Sequence, residues 1–129
     1  MSYQSNMKLL IDEMIVSGAL RSDNIIEAFE AVDRKHFVPK LHEDHIYIDI
    51  PLSIGNDQTI SQPSTVAFML EHLGAQKGDH VLDIGSGSGW TTALLCHIVG
   101  EKGSVTGLER VSDLVEQGKK NIAKLDLPS

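Results

Sequence analysis

The sequence has little of three features that would place it in other classes of protein. Its single cysteine, Cys96, excludes an internal disulfide and a cluster of thiolate metal ligands, so we expect a reducing compartment, the cytoplasm. Eleven Lys and Arg stand against 18 Asp and Glu, and this net charge of −7 argues against a nucleic-acid partner. No apolar run approaches the roughly 20 residues of a membrane span, and Asp12 and Glu13 interrupt the segment where a signal peptide is apolar.

The 129 residues, 41% of them hydrophobic, fit one soluble domain without repeats or low-complexity segments. Residues 1–62 are predicted to be a helical and substrate-loop region, and residues 63–129 a cofactor-binding region. A first helix, from Asn6 to Val16, is predicted to end at Gly18 and to bury Met7, Leu10, Ile11, Met14 and Ile15. A second helix starts near Ser22 or Asp23, which would cap it, ends by Pro39 and buries Ile25, Ile26, Phe29 and Val32.

Residues 40–56 are predicted to be a loop with room for a short strand at 46–50, and regular structure resumes at Pro63. The helix that starts there is predicted to bury Val66, Met69, Leu70 and Leu73 and to end at Gly74. A strand at 81–84, buried on both faces, a helix at 90–99, a strand at 105–109 and a helix at 111–125 then follow. This order is a βαβα unit, which predicts parallel strands with a right-handed crossover and an α/β fold.

The residues at 83–89 (DIGSGSG) form a glycine loop where the first of these strands turns into its helix. Glycines there let a ligand approach the backbone, and we expect backbone N–H groups of the turn to face the crevice at the carboxyl ends of the strands. A plain tight turn, with Asp83 accepting backbone N–H bonds, is the alternative.

An acid, Glu109, follows the next strand, 20 residues after Gly89. A carboxylate there can accept the hydroxyl hydrogens of a ribose, which predicts an unphosphorylated nucleoside or dinucleotide. The dinucleotide pattern G-x-G-x-x-G requires a glycine where Trp90 stands, so NAD and a dehydrogenase are disfavoured. Asp83 suits a ligand that carries positive charge or an α-amino group.

Together the glycine loop and the later acid resemble the S-adenosylmethionine site of class I methyltransferases. Three further segments, 34–39 (RKHFVP), 47–55 (YIDIPLSIG) and 58–63 (QTISQP), resemble protein-L-isoaspartate O-methyltransferases, and the resemblance runs from about Asp33 to the C-terminus. It implies methyl transfer from S-adenosylmethionine to the α-carboxylate of L-isoaspartyl residues in damaged proteins. Ser53 and the pair Asn56-Asp57 depart from the commoner family pattern.

The resemblance also assigns site residues. Ser61 corresponds to the active-site serine, and the implied cofactor-binding residues are Gln58, Thr59, Ile60, Asp83, Gly85, Ser86, Gly87, Gly89 and Glu109. Because a carboxylate is already nucleophilic at neutral pH, Ser61 would orient the substrate rather than act with a strong base. From the residues alone, a serine just before Pro63 is more commonly a helix N-cap, and only the resemblance reverses that preference.

Four other features have competing interpretations. Trp90 either shields the cofactor or packs the start of its helix, and Asp49 either takes part in the substrate pocket, braces the loop or is simply exposed. Cys96 is interpreted as a core residue. The six histidines form no compact pair and predict no metal site.

A class I methyltransferase is a doubly wound, Rossmann-like fold with a sheet of about seven strands, and only two core strands can be counted here. We therefore expect the N-terminal part of that fold, with an N-terminal helical layer and an incomplete sheet. Its open edge would need a second copy of the chain or a C-terminal fragment to cover it. A non-catalytic S-adenosylmethionine-binding or dimerising remnant of the family is the alternative function.

Overall fold

The computed structural model describes residues 6–125. In chain order the elements are α1 (Met7–Ser17), α2 (Asp23–Ala31), two 3₁₀ helices (Arg34–Phe37 and Lys40–His45), β1 (Leu52–Gly55), β2 (Gln58–Ile60), α3 (Pro63–Leu73), β3 (His80–Ile84), α4 (Trp90–Val99), β4 (Ser104–Leu108) and α5 (Ser112–Ala123). Strands β1 and β2 form an antiparallel hairpin, and β3 and β4 form a separate parallel pair. The α/β class and the βαβα order are confirmed.

The first two helices form as predicted, with corrections at their ends. The Asn6 side chain accepts a hydrogen bond from the Leu9 amide at 3.0 Å and so caps α1, which ends at Gly18 in the left-handed conformation. Ile15, predicted to be buried, is 42% exposed because it lies at the edge of the apolar stripe. Neither Ser22 nor Asp23 caps α2 through its side chain; instead, Glu71 accepts hydrogen bonds from the amides of residues 21 and 22.

The strand suggested at residues 46–50 is wrong. This segment is a series of turns and bends, and the regular structure nearby is the Lys40–His45 3₁₀ helix and the β1–β2 hairpin. Alternate backbone carbonyls, those of Ile46, Ile48 and Ile50, accept hydrogen bonds from the Arg34 guanidinium. The carbonyls of this segment therefore bond to a buried side chain instead of to the amides of a neighbouring strand.

The hairpin turn explains the unusual pair Asn56-Asp57. Both residues have positive φ, 54° and 58°, and they join strand ends that pair Gly55 with Gln58. Such a two-residue turn matches the right-handed twist of the hairpin, and Asn and Asp tolerate it better than other residues with a Cβ. The pair is thus compatible with the tight loop that precedes residues 58–61.

Helix α3 begins at Pro63 and ends at Gly74, as predicted. Val66 and Leu70 are buried, but Met69 and Leu73, predicted to face the core, are 63% and 57% exposed. The buried stripe of this helix is therefore narrower than the apolar stripe in the sequence, and α2 is the element that contacts it most.

The parallel pair runs in register from His80 opposite Ser104 to Ile84 opposite Leu108, and α4 connects the two strands. Helix α4 packs on one face of the pair, and Leu82, Ile84 and Leu108 remain exposed on the other. The prediction that β3 is buried on both faces is therefore wrong for the described residues, because only one face has a helix over it.

A continuous hydrophobic core joins the helices to the hairpin. At its centre Phe29 of α2 and Trp90 of α4 meet edge to face, with ring centroids 5.6 Å apart. Cys96 is half-buried rather than fully in the core, and burial raises the pKa of its thiol. The boundary at residue 62 stays a prediction, and core residues come from both sides of it.

Candidate active site

The glycine loop between β3 and α4 has the backbone that its sequence requires. Gly85, Gly87 and Gly89 all have positive φ, at 80°, 55° and 97°. Side chains with a Cβ rarely adopt this region, so glycine is needed at each position for the turn itself. Small residues also leave open space, since a Cβ at Gly85 would meet no atom within 4 Å.

The expectation that the loop offers its N–H groups to a ligand is corrected. The amides of Gly85 and Ser86 donate to the Leu108 carbonyl at 2.7 and 3.0 Å, and that of Gly89 donates to the Ser86 carbonyl. The Gly87 amide donates to Glu109 at 2.9 Å. These four amides are already paired inside the protein, so they are not available to bind a pyrophosphate. A ligand can still approach the loop backbone closely, because the glycines carry no side chain.

Gly89 lies on the far side of the loop and contacts α5. A Cβ there would come within 3.1 Å of Ile122 Cδ1 and 3.3 Å of the Gly118 carbonyl. This third glycine therefore allows α4 and α5 to approach each other, and it lines a separate cavity with Ser86 and Glu109 rather than the clefts at Gly85.

Asp83 is the penultimate residue of β3 and is held by the helix that follows the strand. Thr92 donates its hydroxyl hydrogen to Asp83 Oδ2 at 2.7 Å. Burial raises the pKa of this carboxyl group, and the Thr92 hydrogen bond opposes the shift. The alternative in which Asp83 accepts backbone N–H bonds is not the arrangement found.

Glu109 follows β4 and closes the other side of the loop. Its Oε1 accepts from the Gly87 amide and its Oε2 from the Val111 amide, each at 2.9 Å. These two backbone donors, Val111 first, lower the pKa of Glu109. The carboxylate is thus ionised and oriented at neutral pH, and each oxygen retains a lone pair for a further donor.

The hairpin brings residues 58–61 against the glycine loop. A cleft of about 500 Å³ lies between Gln58, Gly85 and Glu109. Beside it, Thr59, Ile60 and Ser61 share a pocket of about 40 Å³ with residues 85–88. Ile54 of β1 also faces the loop, since its Cδ1 would be 3.4 Å from a Cβ at Gly87. The structure thus brings these predicted residues into one site. Asp83 lines neither of the two clefts, and Gly89 lies on the side of the loop that contacts α5.

Ser61 does not cap α3 through its side chain. The cap is Asp49, whose Oδ1 accepts from the Ser64 amide at 2.8 Å. This contact supports the loop-bracing interpretation of Asp49. It also leaves the exposed Ser61 hydroxyl available at the mouth of the pocket.

Trp90 has mainly a packing role. Its ring is 1% exposed, and its Nε1–H donates to the Val32 carbonyl at 3.3 Å. The Arg34 guanidinium lies over the same ring, with Cζ 5.4 Å from the centroid. Trp90 therefore ties the start of α4 to the segment after α2, and it also lines the small pocket beside Ser61.

Three residues of the site had no role in the sequence interpretation. Thr92 orients Asp83, Arg110 lines the large cleft, and Arg34 holds the loop before α3. Thr92 could have been found from its place in the first turn of α4, next to the glycine loop. Nothing local to Arg34 indicates its long-range contacts.

The described part of the chain, residues 6–125, contains neither a cluster of metal-ligating side chains nor a membrane-spanning helix. There, no group of three or more His, Cys, Asp or Glu side chains could hold a metal ion. No helix there is long and apolar enough to cross a membrane.

Comparison with known proteins decides the family. Residues 4–129 match the family model described as protein-L-isoaspartate(D-aspartate) O-methyltransferase. The chain belongs to this family. Family members named protein-L-isoaspartate O-methyltransferase include one from Fervidobacterium nodosum, 46% identical over 82% of this chain and 53% of the relative. Another, from Methanococcus maripaludis, is 40% identical over 90% of this chain and 55% of the relative.

Solved structures agree with the family assignment. One is described as a protein-L-isoaspartate O-methyltransferase from Plasmodium falciparum in complex with S-adenosyl-L-homocysteine. It superposes with a TM-score of 0.86 at 30% identity, over 95% of this chain and 57% of that one. The fold is therefore part of the Rossmann-like methyltransferase fold. The chain spans about half the length of the curated relatives it matches.

Proposed function

We propose that this chain binds S-adenosylmethionine and takes part in methyl transfer to the α-carboxylate of L-isoaspartyl residues in damaged proteins. One observation carries the proposal: residues 59–61 and 85–88 line a shared pocket, next to a cleft lined by Gln58, Gly85 and Glu109. The family and the relative that binds S-adenosyl-L-homocysteine support the same ligand.

The residues present fit a nucleoside that carries positive charge and no phosphate. Glu109 is ionised and oriented, and it would accept hydrogen bonds from the two ribose hydroxyls. Asp83, at the end of β3, would attract an α-ammonium group. The loop amides of Gly85, Ser86, Gly87 and Gly89 are already paired, which makes the site a poor one for pyrophosphate.

The chemistry requires little of the protein beyond positioning. When bound, S-adenosylmethionine supplies a methyl group on a sulfonium. A substrate carboxylate attacks without a general base, so in-line approach determines the rate. Ser61, exposed at the pocket, would donate a hydrogen bond to one carboxylate oxygen and leave the other directed at the methyl group. Gln58, Thr59 and Ile60 would form the wall between cofactor and substrate.

The test separates cofactor binding from catalysis. Isothermal titration should show saturable binding of S-adenosylmethionine and S-adenosyl-L-homocysteine and none of NAD. Asp83→Asn should weaken binding by about tenfold, because it removes the negative charge next to the cleft. Asp113→Asn, at an exposed position of α5, is the matched control and should leave binding unchanged.

Methyl transfer is then measured as base-labile methyl ester on an isoaspartyl peptide, with the matching aspartyl peptide as control. Ester on the isoaspartyl peptide alone supports the full proposal. Binding without ester supports the second candidate, a non-catalytic S-adenosylmethionine-binding remnant of the family. Absence of binding would refute both.

We also propose that the open β3–β4 edge is covered in use, by a second copy of the chain or by a further C-terminal fragment. An unpaired parallel edge with Leu82, Ile84 and Leu108 exposed beside it is a surface that folded proteins normally cover. Light scattering after size exclusion measures whether the chain is a monomer or a dimer. The cytoplasm remains our proposed compartment, on the basis of the single cysteine.

A further inference from the structure

The guanidinium of Arg34 is completely buried and bonds to backbone rather than to a carboxylate. Arg34 is 0% exposed. Its Nη1 donates to the carbonyls of Ile46 and Ile48 at 2.8 and 3.1 Å, and its Nη2 donates to those of Ile50 and Ser61 at 2.9 and 3.1 Å. One side chain thus connects four carbonyls from two separate turns of the chain.

The same guanidinium contacts the cofactor side of the site. Its Cζ lies 5.4 Å from the centre of the Trp90 ring, and Trp90 follows the glycine loop directly. Trp90 in turn donates to the Val32 carbonyl, two residues before Arg34. Arg34 therefore touches both walls of the pocket from behind: the Ser61 backbone on one side and the first residue of α4 on the other.

Burying a guanidinium costs free energy of desolvation, and stability alone does not explain why the fold keeps it. A buried cation loses its hydration, and its hydrogen bonds to the four carbonyls offset that cost. Burial lowers the pKa of Arg34 to about 10 although Asp49 attracts the charge, and its Nε has no hydrogen-bond partner. Arginine can bind four carbonyls at defined positions, whereas an apolar residue cannot.

We propose that Arg34 is a positioning residue that sets where Ser61 lies relative to the glycine loop, by holding the Ser61 carbonyl and the face of Trp90 together. This proposal rests on the proposed function, since it assigns Arg34 the placement of the group that orients the substrate carboxylate. Arg34 touches neither cofactor nor substrate. Its loss should therefore affect the substrate step more than cofactor binding.

The test compares Arg34→Lys with Arg21→Lys in the full chain. Lysine keeps the charge but cannot bind four carbonyls at once, while Arg21 is exposed and distant from the pocket. In Arg34→Lys, amide hydrogen exchange over residues 46–61 should become at least about tenfold faster, with β3 and β4 unchanged. Emission of the single tryptophan, Trp90, should shift. Arg21→Lys should match the wild type in both.

The functional readouts are the Kd for S-adenosyl-L-homocysteine and kcat/KM for an isoaspartyl peptide. We expect the Kd to stay within about twofold and kcat/KM to fall by about tenfold in Arg34→Lys. A parallel loss of both, or unchanged exchange over residues 46–61, would overturn the positioning role. If the wild type forms no methyl ester, the proposed function fails by itself, and exchange and emission still test the placement of the loop.

If Arg34→Lys does not fold, the wild-type protein provides the decisive measurement. Nuclear magnetic resonance of the labelled arginine side chains should show separate Nη protons for Arg34, protected from solvent exchange and with slow rotation. A guanidinium that averages rapidly, like those of exposed arginines, would contradict the four-carbonyl contact and the proposal with it.

Discussion

The two walls of the site are built by different means. The glycine loop derives its shape from its own backbone, because Gly85, Gly87 and Gly89 adopt positive φ and neighbouring amides pair locally. The segment that ends at Ser61 derives its shape from a distant side chain, Arg34, 27 residues earlier. One wall is therefore sensitive to any added Cβ, and the other to the loss of one buried charge.

This difference also separates what each wall can do. The glycine wall has two carboxylates at its ends: Thr92 holds Asp83, and the amides of Gly87 and Val111 hold Glu109. The opposite wall presents a hydroxyl and backbone groups at the end of β2, just before α3. We therefore expect the glycine wall to recognise a charged ligand, and the wall that ends at Ser61 to position a reacting group.

The largest effect on stability should come from breaking the wall held by Arg34. Arg34→Met leaves four carbonyls without their donor, and we expect the free energy of unfolding to fall by about 3–5 kcal/mol. Lys35→Met removes an exposed charge next to it and should cost no more than about 0.5 kcal/mol. Urea denaturation followed by circular dichroism measures both. Equal losses would show that position 34 has no special role.

Breaking the glycine wall should have the next largest effect. In Gly89→Ala the new Cβ is strained by the positive φ and also presses on Ile122, so we expect a loss of about 3 kcal/mol. Gly18→Ala has a similar φ, 84°, with no atom within 4 Å, and isolates the strain alone, at about 1 kcal/mol. The same unfolding experiment compares them. If both variants lost the same free energy of unfolding, the contact between position 89 and α5 would not contribute to the loss in Gly89→Ala.

A smaller effect with a defined pH dependence is expected for Glu109→Gln. The folded-state pKa of Glu109 is lowered, so its ionised form contributes stability above its ordinary pKa of 4.5, and that contribution disappears as the pH falls through the folded-state value. The variant should lose less than about 1 kcal/mol at neutral pH, because the group is partly exposed. Thermal melts across this range should converge at low pH. A difference that persists there would assign the loss to packing.

The smallest effect on stability is expected for Ser61→Ala. Its carbonyl, not its hydroxyl, bonds to Arg34, and the hydroxyl is exposed, so stability should stay within about 0.5 kcal/mol of the wild type. Transfer to an isoaspartyl peptide should nevertheless fall by about tenfold if the hydroxyl orients the carboxylate. Ser64→Ala, one turn further along, is the control. Unchanged transfer in Ser61→Ala would remove the hydroxyl from the mechanism.

Much of the fold could be predicted because it depends on neighbours in sequence. Apolar spacing located the helices, Gly18 and Gly74 ended two of them, and the βαβα order required the parallel pair. Burial was harder to predict. Met69 and Ile84 lie in apolar stretches that predicted burial, but both are exposed, because exposure depends on which elements pack over a surface.

For the site, the sequence by itself determined the glycine loop, the acid after β4 and the family, since local backbone rules and motif order carry that information. Only the tertiary structure decided that the loop amides are paired internally, that Asp49 rather than Ser61 caps α3, and that Arg34 holds the segment read as a strand. The physical reason is that hydrogen bonds between groups 10 to 30 residues apart leave no periodicity in the sequence. They exist only once the core around Phe29 and Trp90 has brought the two walls together.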